Sequence, residues 1–325
     1  MCRLLLFAAL LCLPVFAQAE AIFSAVSEND LYASGTDRYY TNGVRYSVML
    51  TDQDAPQFAA ELAELLPMVD KAERKGVVYS LGHNLYTPND IANPAPDPDQ
   101  RPYAAMLYVS AAFAAAPKNL KTLDEAEVMV GMVGPAALGE DVQSYVHRVV
   151  DSPQPQGWDY QLKNEPILNL FWQRRWPRQW VAELDSLRLS LTPHTGVALG
   201  NAYIYGSVGG GLSLSPKNSP LQDYPLRVRP SMPGTGYFAP VNKVSWSLFA
   251  GTEVRLVARD IFLDGNTFTD SPNVDKHPVV LDAQIGAAIT YKKARLAYTA
   301  VYRTKEFHNQ SSNSIFGALS LSFHF

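Results

Sequence analysis

The last segment of the chain alternates apolar and polar residues over its whole length. In an extended strand over residues 314–325, one face would carry serine and histidine and the other would carry Leu319, Leu321, Phe323 and Phe325. Alternation with period two that ends in a terminal aromatic residue is typical of the closing strand of an outer-membrane β-barrel. A soluble β-sandwich with the same ending is the alternative.

The pattern recurs along the chain, and the repetition favours the barrel. Segments of about ten residues carry aromatic residues near their ends and are separated by turn signals. We predict an all-β fold, a twelve-stranded antiparallel transmembrane β-barrel with short helical segments in its loops, and an even strand number fits a single-chain bacterial barrel. The predicted strands are 21–30, 43–51, 76–86, 103–115, 122–133, 164–175, 184–194, 198–213, 243–258, 279–291, 293–304 and 314–325.

The connections between these strands differ in length at the two ends of the barrel. Lys292-Lys293 predicts a tight turn, whereas the longer polar loops, including 134–163, would follow strands that run outward from the periplasm. Residues 52–75 predict an amphipathic helix, and 214–242, with six prolines, predict a long irregular connection. Small residues on alternate positions of 103–115 and 279–291 favour a narrow, filled barrel over an open channel.

The chain begins with the features of a secretory signal peptide. Residues 1–19 have a basic start, an apolar run and a small-residue end, so we expect residues 20–325 to form one mature domain. Both cysteines, Cys2 and Cys12, lie in the signal, which excludes a disulfide framework, a zinc–thiolate site and cysteine catalysis in the mature chain. Mixed charges without a basic run give no indication of nucleic-acid binding.

Polar residues gather where the first two predicted strands meet. Glu28, Asn29 and Asp30 end the first strand, and residues 36–43 lead into the second. A cluster at one rim of a barrel is compatible with a pore that has a charged constriction, with a receptor, or with an enzyme that faces the outer leaflet.

Five motifs between residues 21 and about 170 together resemble the lipid A 3′-O-deacylase (LpxR-type) family, and the second half of the chain matches only by its strand pattern. They are Glu28-Asn29-Asp30, Thr36-Asp37-Arg38-Tyr39-Tyr40-Thr41-Asn42-Gly43, Leu85-Tyr86-Thr87-Pro88, Arg101-Pro102-Tyr103-Ala104, and the run from Val133-Gly134-Pro135 through Gly139-Glu140-Asp141-Val142-Gln143 to His147-Arg148.

The resemblance implies a calcium-dependent outer-membrane barrel that hydrolyses the 3′-linked acyloxyacyl group of lipid A at the outer surface. By motif, His147 matches the histidine assigned to water activation, Asn29 and Asp30 match an essential pair beside the metal, and Thr41 matches an essential hydroxyl. The chemistry agrees, because imidazole accepts a proton from water near neutral pH. Calcium held by oxygen ligands can stabilise an oxyanion.

Other residues have two interpretations each. Gln143 lies four residues before His147, where it would either orient the imidazole or be an ordinary polar helix position. Asn29-Asp30 would by itself be an Asx turn. We expect Asp37 and Arg38 to position their loop, and His83 to fill the polar interior. The predicted substrate-binding residues are Tyr86, Arg101, Tyr103 and Arg148. In the alternative interpretation, the two tyrosines belong to the aromatic girdle at the membrane interface.

The chain departs from a better-studied branch of the family at one point. That branch uses a lysine after the Tyr-Thr/Ser-Pro motif and an acid after the catalytic histidine, where this chain has Asn93 and Pro153 as the nearest positions. Arg101 or Arg148 would take over the cationic role. The other functions considered are an outer-membrane phospholipase, which needs a serine nucleophile paired with histidine, and a non-catalytic pore or adhesin. The expected partner is lipid A or lipopolysaccharide, and we expect a monomer.

Overall fold

Antiparallel strands make up most of the computed structural model, which describes residues 21–33, 39–51, 74–95, 97–220 and 222–325. Burial alternates along each strand as the sequence pattern predicts. In the first strand Ser24, Val26 and Glu28 are buried, while the residues between them are partly exposed. The predicted signal peptide, Asp37, Arg38 and most of the predicted helix over 52–75 lie outside the described residues.

The described residues contain thirteen strands: β1 (Ala21–Asn29), β2 (Tyr39–Thr51), β3 (Arg74–Thr87), β4 (Ala104–Ala116), β5 (Leu123–Val133), β6 (Glu165–Arg175), β7 (Trp180–Leu184), β8 (Leu187–Gly200), β9 (Tyr203–Pro216), β10 (Val244–Asp260), β11 (Val279–Tyr291), β12 (Ala294–Arg303) and β13 (Ser314–His324). β1 pairs with both β2 and β13, and β6 pairs with β5 and β8, so the sheet closes on itself. The short strand β7 pairs with β8 alone and is not part of the ring. The prediction of a twelve-stranded antiparallel barrel is confirmed.

Two predicted strand boundaries are wrong. The sequence suggested a turn between 194 and 198, but Thr195 and Gly196 pair with Val208 and Ser207 within the sheet, and the chain turns at Asn201 and Ala202 instead. The Asn201 side chain stabilises this turn, because Oδ1 accepts from the Leu168 backbone N–H at 2.9 Å and Nδ2 donates to the Pro166 carbonyl at 2.8 Å.

The two ends of the barrel have different connections. At the end that holds Ala21 and Phe325, which we call the termini rim, β11 and β12 are joined by the predicted tight turn, where Lys292 has a left-handed backbone with φ of 52°. At the opposite end, which we call the site rim, the connections 88–103, 134–164 and 261–278 are long. The predicted sorting of these loops to one end is confirmed.

The barrel interior is filled, in part by the long connection between β9 and β10. This segment, residues 217–243, contributes Arg227, which binds Glu28 of β1. It also contributes Arg229, which lies 2.9 Å from both Glu125 and Glu127 of β5. The interior is therefore filled as predicted, but it is rich in charge, and these arginines and glutamates pair with one another across the lumen.

Aromatic side chains close the lumen near the site rim. The short helix Ile261–Asp264 is capped by Asp260, whose Oδ1 accepts from the Phe262 N–H at 3.0 Å. Phe262 stacks on Tyr86 with 4.1 Å between ring centroids, and Tyr86 is 3.1 Å from Tyr203 between hydroxyl oxygens. These aromatic side chains pack against one another in a buried cluster at this level of the barrel.

The outer wall exposes large apolar side chains at alternate strand positions. Leu81, Val109, Leu168 and Val208 are 42%, 51%, 56% and 63% exposed. Such a band is what the hydrocarbon of a bilayer would cover. Within the described residues, every helix is too short or too polar to cross a membrane.

Candidate active site

Part of the outer wall at the site rim is covered by the connection between β5 and β6. Asn84 of β3 faces the interior, where it donates to the Arg229 carbonyl at 2.9 Å, so its neighbour Leu85 faces outward. Leu85 is nevertheless only 2% exposed. It belongs to a buried apolar cluster formed by Leu85, Ile91, Tyr103, Ala105, Ala137 and Trp158. Residues 134–164 thus form a second layer on the outside of the barrel.

His83 belongs to this covered patch. It shares the outward face of β3 with Leu85, and its Nε2 atom is 2.8 Å from the Ala137 carbonyl oxygen. The prediction that His83 fills the polar interior is wrong, because strand alternation turns Asn84 inward and His83 outward.

The helix α1, Gly139–Val149, packs against β4 at a distance that requires glycine. A Cβ atom on Gly139 would lie 2.5 Å from both Ala105 Cβ and Trp158 Cη2. The preceding turn is tied to β4 as well, since Gly134 N–H donates to the Ala105 carbonyl at 3.1 Å. The buried residues of α1 are Gly139, Gln143 and His147, which are four apart and share one face.

His147 is oriented by a backbone carbonyl. Its Nδ1 atom is 2.5 Å from the Pro153 oxygen. A carbonyl oxygen only accepts hydrogen bonds, so Nδ1 carries the proton and the neutral ring has its lone pair at Nε2. The ring is 6% exposed. This arrangement gives His147 a basic nitrogen at a defined position.

Gln143 binds Trp158 rather than the imidazole. Its Oε1 atom accepts from Trp158 Nε1 at 2.9 Å. Its Nε2 atom is buried and has no hydrogen-bond partner within the described part of the chain. The Pro153 carbonyl therefore orients the His147 ring, and the Gln143 oxygen binds Trp158 instead.

Asn29, Asp30 and Thr41 lie at the ends of β1 and β2. Asn29 Oδ1 accepts from the Leu31 N–H at 2.8 Å and begins a 3₁₀ turn over Asp30–Tyr32, which is the Asx turn considered above. Asp30 is buried at 3% exposure. Thr41 occupies a bulge in β2, and its hydroxyl is 2.6 Å from that of Thr87. The structure thus groups these residues on neighbouring strands, while Gln143 and His147 lie on α1 against β4.

Two predicted substrate-binding residues belong to the covered side of the wall. Arg148 is exposed at the end of α1, where its Nε atom donates to the Ser144 carbonyl at 3.4 Å. Tyr103 is fully buried, with its ring centroid 5.0 Å from that of Trp158. Tyr103 is therefore a packing residue beneath the layer rather than a girdle residue.

The other two face the interior. Arg101 is fully buried, forms an ion pair with Glu306 at 3.3 Å, and lies over the ring of Tyr86 at 4.6 Å. α1 is on the outside of the wall, so the structure does not bring Tyr86 and Arg101 to His147. Their role in substrate binding stays a prediction.

The donor atoms at the ends of β1, β2 and β3 are oxygens. They comprise the Asn29 amide, the Asp30 carboxylate and the hydroxyls of Thr41 and Thr87, which are the kind of ligand that hard cations such as Ca²⁺ prefer. The described part of the chain contains no group of three or more His, Cys, Asp or Glu side chains placed to share a metal. These oxygen atoms are the type of ligand that a hard cation prefers, and calcium stays a prediction.

A sequence profile of the family described as outer membrane protein LpxR matches residues 4–325. The chain belongs to the LpxR family. The family resemblance predicted from the five motifs is thereby confirmed, and it extends over the second half of the chain, where the motifs were absent.

A solved structure shows the same fold as this LpxR-family barrel. LpxR from Salmonella typhimurium superposes with a TM-score of 0.73 at 17% sequence identity, covering 94% of this chain and 100% of that one. The β domain of the Bordetella autotransporter BrkA gives a TM-score of 0.40 at 9% identity, covering 94% of this chain and 98% of that one. No curated protein sequence matches the chain.

Sequence reasoning missed the two groups that hold the site of this family member together. Trp158 lies fifteen residues after Gln143 and contacts it only because the chain folds back over the wall. Pro153 acts through its backbone oxygen, which no side-chain motif can report. The one available signal was Gly139, since a glycine at the start of an amphipathic helix indicates a close approach.

Proposed function

We propose that this outer-membrane protein is a lipid A deacylase that removes the 3′-linked acyloxyacyl group by histidine-activated water. One observation carries the proposal within this family: His147 lies in a layer on the outside of the barrel, and the lumen is filled. A lipid in the surrounding leaflet can approach that layer laterally, whereas a pore would require an open interior.

The exposed face of α1 suits a lipid substrate. Tyr145 and Val149 are 55% and 66% exposed on the side of α1 away from His147, and Val146, which flanks the buried face, is 46% exposed. Apolar residues on an amphipathic helix of this kind lie at the boundary between headgroups and acyl chains. The neighbouring Arg148 would then meet a phosphate of the glucosamine headgroup, with the site rim facing the outer surface.

His147 would supply the general base. Nε2 accepts a proton from water while the water oxygen attacks the ester carbonyl carbon, and the imidazolium is stabilised by its Nδ1–H bond to Pro153. When the ester C–O bond breaks, the proton passes from Nε2 to the leaving 3′-oxygen. The products are a fatty acid and a lipid A with a free 3′-hydroxyl, so one water is consumed.

Gln143 would stabilise the charge that develops on the carbonyl oxygen. Its buried Nε2 donor has no partner among the described residues, and its Oε1 atom is held by Trp158, so the orientation of the amide is fixed. Preorganised donors of this type are worth about 10²–10³ in rate. This assigns Gln143 a direct contact with the reacting ester.

Asn29, Asp30 and Thr41 form the other half of the proposed site. α1 begins over β4, and the helical rise over the residues from Gly139 to His147 is about 12 Å. That length is close to the roughly 14 Å between β4 and β1, and the proposal requires α1 to run across the wall towards β1. Asn29 and Asp30 are the residues expected to hold calcium, whose charge would stabilise the oxyanion.

Hydrolysis by the purified protein in ¹⁸O-labelled water tests the proposal. Attack of water on the acyl carbon puts the label into the released acid and none into the 3′-hydroxyl. Label in the hydroxyl, or no release of acid from lipid A in detergent micelles, would refute the mechanism.

A further inference from the structure

The termini rim contains a cavity that the proposed deacylation does not use. It has a volume of about 370 Å³, at the lower end of the range of small-molecule pockets, which is about 300–1,000 Å³. Its walls come from strands on several sides of the barrel and from the inserted segment 217–243. One part is apolar, with Met49, Leu120 and Phe249, and another carries hydroxyl groups, including Ser190 and Ser215.

Arg295 of β12 lies in this wall without an ion-pair partner among the described residues, although Asp223 is close enough to act on it electrostatically. It is 3% exposed, and its Nε and Nη1 atoms have no hydrogen-bond partner among the described residues. Thr290, directly opposite in the sheet register, is fully buried with an equally unpartnered hydroxyl. A buried guanidinium is costly unless it is paired, so this position calls for an acceptor.

Two further cations face the same cavity. Arg178 and Arg188 both line it, and neither forms an ion pair with a residue that the structure describes. Burial lowers the pKa of Arg178, and the charge of Arg188 lowers that pKa further. Among the described lining residues, Asp223 is the one side-chain carboxylate, and it already binds Arg175. The described side chains thus leave an excess of positive charge.

We propose that this cavity is a binding site for a small oxyanion ligand, a carboxylate or a phosphate, with Arg295 as its buried anchor. Arg178 and Arg188 supply the remaining charge, and the apolar wall accepts a short hydrocarbon body. The site lies at the opposite end of the barrel from α1 and does not depend on the deacylase proposal.

Calorimetric titration of the full protein in non-ionic detergent tests the site. Inorganic phosphate is the probe in one arm and hexanoate in the other, which separates a phosphate ligand from a carboxylate with an apolar body. We expect saturable binding of at least one probe. Arg295→Gln should weaken it by about tenfold or more, since a hydrogen bond to a charged group is lost.

Two further variants keep the test decisive. The double variant Arg178→Gln/Arg188→Gln should also weaken binding, and it decides the matter if Arg295→Gln fails to fold. Lys217→Gln removes the same charge outside the cavity, where Lys217 pairs with Glu183 at 2.6 Å, and should bind as the wild type does. Absence of binding of both probes, or equal affinity in all variants, overturns the proposal.

Discussion

Replacing Gly139 by alanine tests whether the packing of α1 against β4 positions His147. The added Cβ would lie 2.5 Å from Ala105 Cβ and Trp158 Cη2, whereas ordinary contact begins at 3.4 Å, so α1 must move by about 0.9 Å. Trp158 is 2% exposed and packed on Tyr103, so it cannot yield instead. Misplacement of a catalytic group by about 1 Å can cost about 10²-fold in rate.

We therefore expect Gly139→Ala to lower the rate of lipid A deacylation by about 100-fold while the barrel remains folded. Overpacking of this kind costs about 1–3 kcal/mol, which is confined to a layer outside the ring. The rate is measured from the release of fatty acid, and folding from the heat-dependent mobility of the barrel on gels.

Gly206→Ala is the matched control, because a Cβ there would meet nothing within 4 Å. A second change, Ala105→Gly, removes one of the two clashes and should partly restore the rate of Gly139→Ala. Wild-type activity in Gly139→Ala would refute the reasoning that the contact with β4 positions the site.

Three further predictions follow from other contacts. Trp158→Phe leaves the Gln143 oxygen buried without its donor, at a cost of about 1–3 kcal/mol, and should lower kcat more than it changes KM; equal kcat would contradict the role of this bond. Arg229→Ala breaks the buried ion pair with Glu125, which destabilises the fold by about 3–5 kcal/mol, and should raise conductance in planar bilayers. Arg174→Ala, which breaks a part-exposed ion pair with Asp124, should leave conductance unchanged. Chelation by EDTA should abolish deacylation and added Ca²⁺ should restore it, so full activity in EDTA would count against calcium.

Most of the fold could be predicted from the sequence, because the side-chain period of a strand is a local property. The closing strand, the tight turn at Lys292 and the long loops at one rim all follow from residues close to one another in the chain. The hairpin strand β7 was missed, since it is short and pairs only with β8. The inserted segment 217–243 was predicted to be irregular, but its place in the lumen depends on Glu28 and Glu127, which are far away in the sequence.

The candidate site also has features that neighbouring residues predict and features that depend on distant parts of the chain. The spacing of Gln143 and His147 predicted a shared helix face, and the structure has it. The side of the wall was harder to predict: His83 was assigned to the interior, but a connection more than fifty residues later covers it from outside. Arg101 and Tyr86 match family motifs, yet strand direction and the ion pair with Glu306 turn them to the lumen.

The mass of lipid A from cells that carry His147→Ala tests the central claim most directly. The host is a strain without a 3′-deacylase of its own, and the wild-type protein is expressed beside the variant at equal amounts of folded barrel. We expect the wild type to shorten lipid A by the mass of the 3′-linked acyloxyacyl group and His147→Ala to leave lipid A intact. Equally shortened lipid A in the two strains would contradict the assignment of His147 as the base.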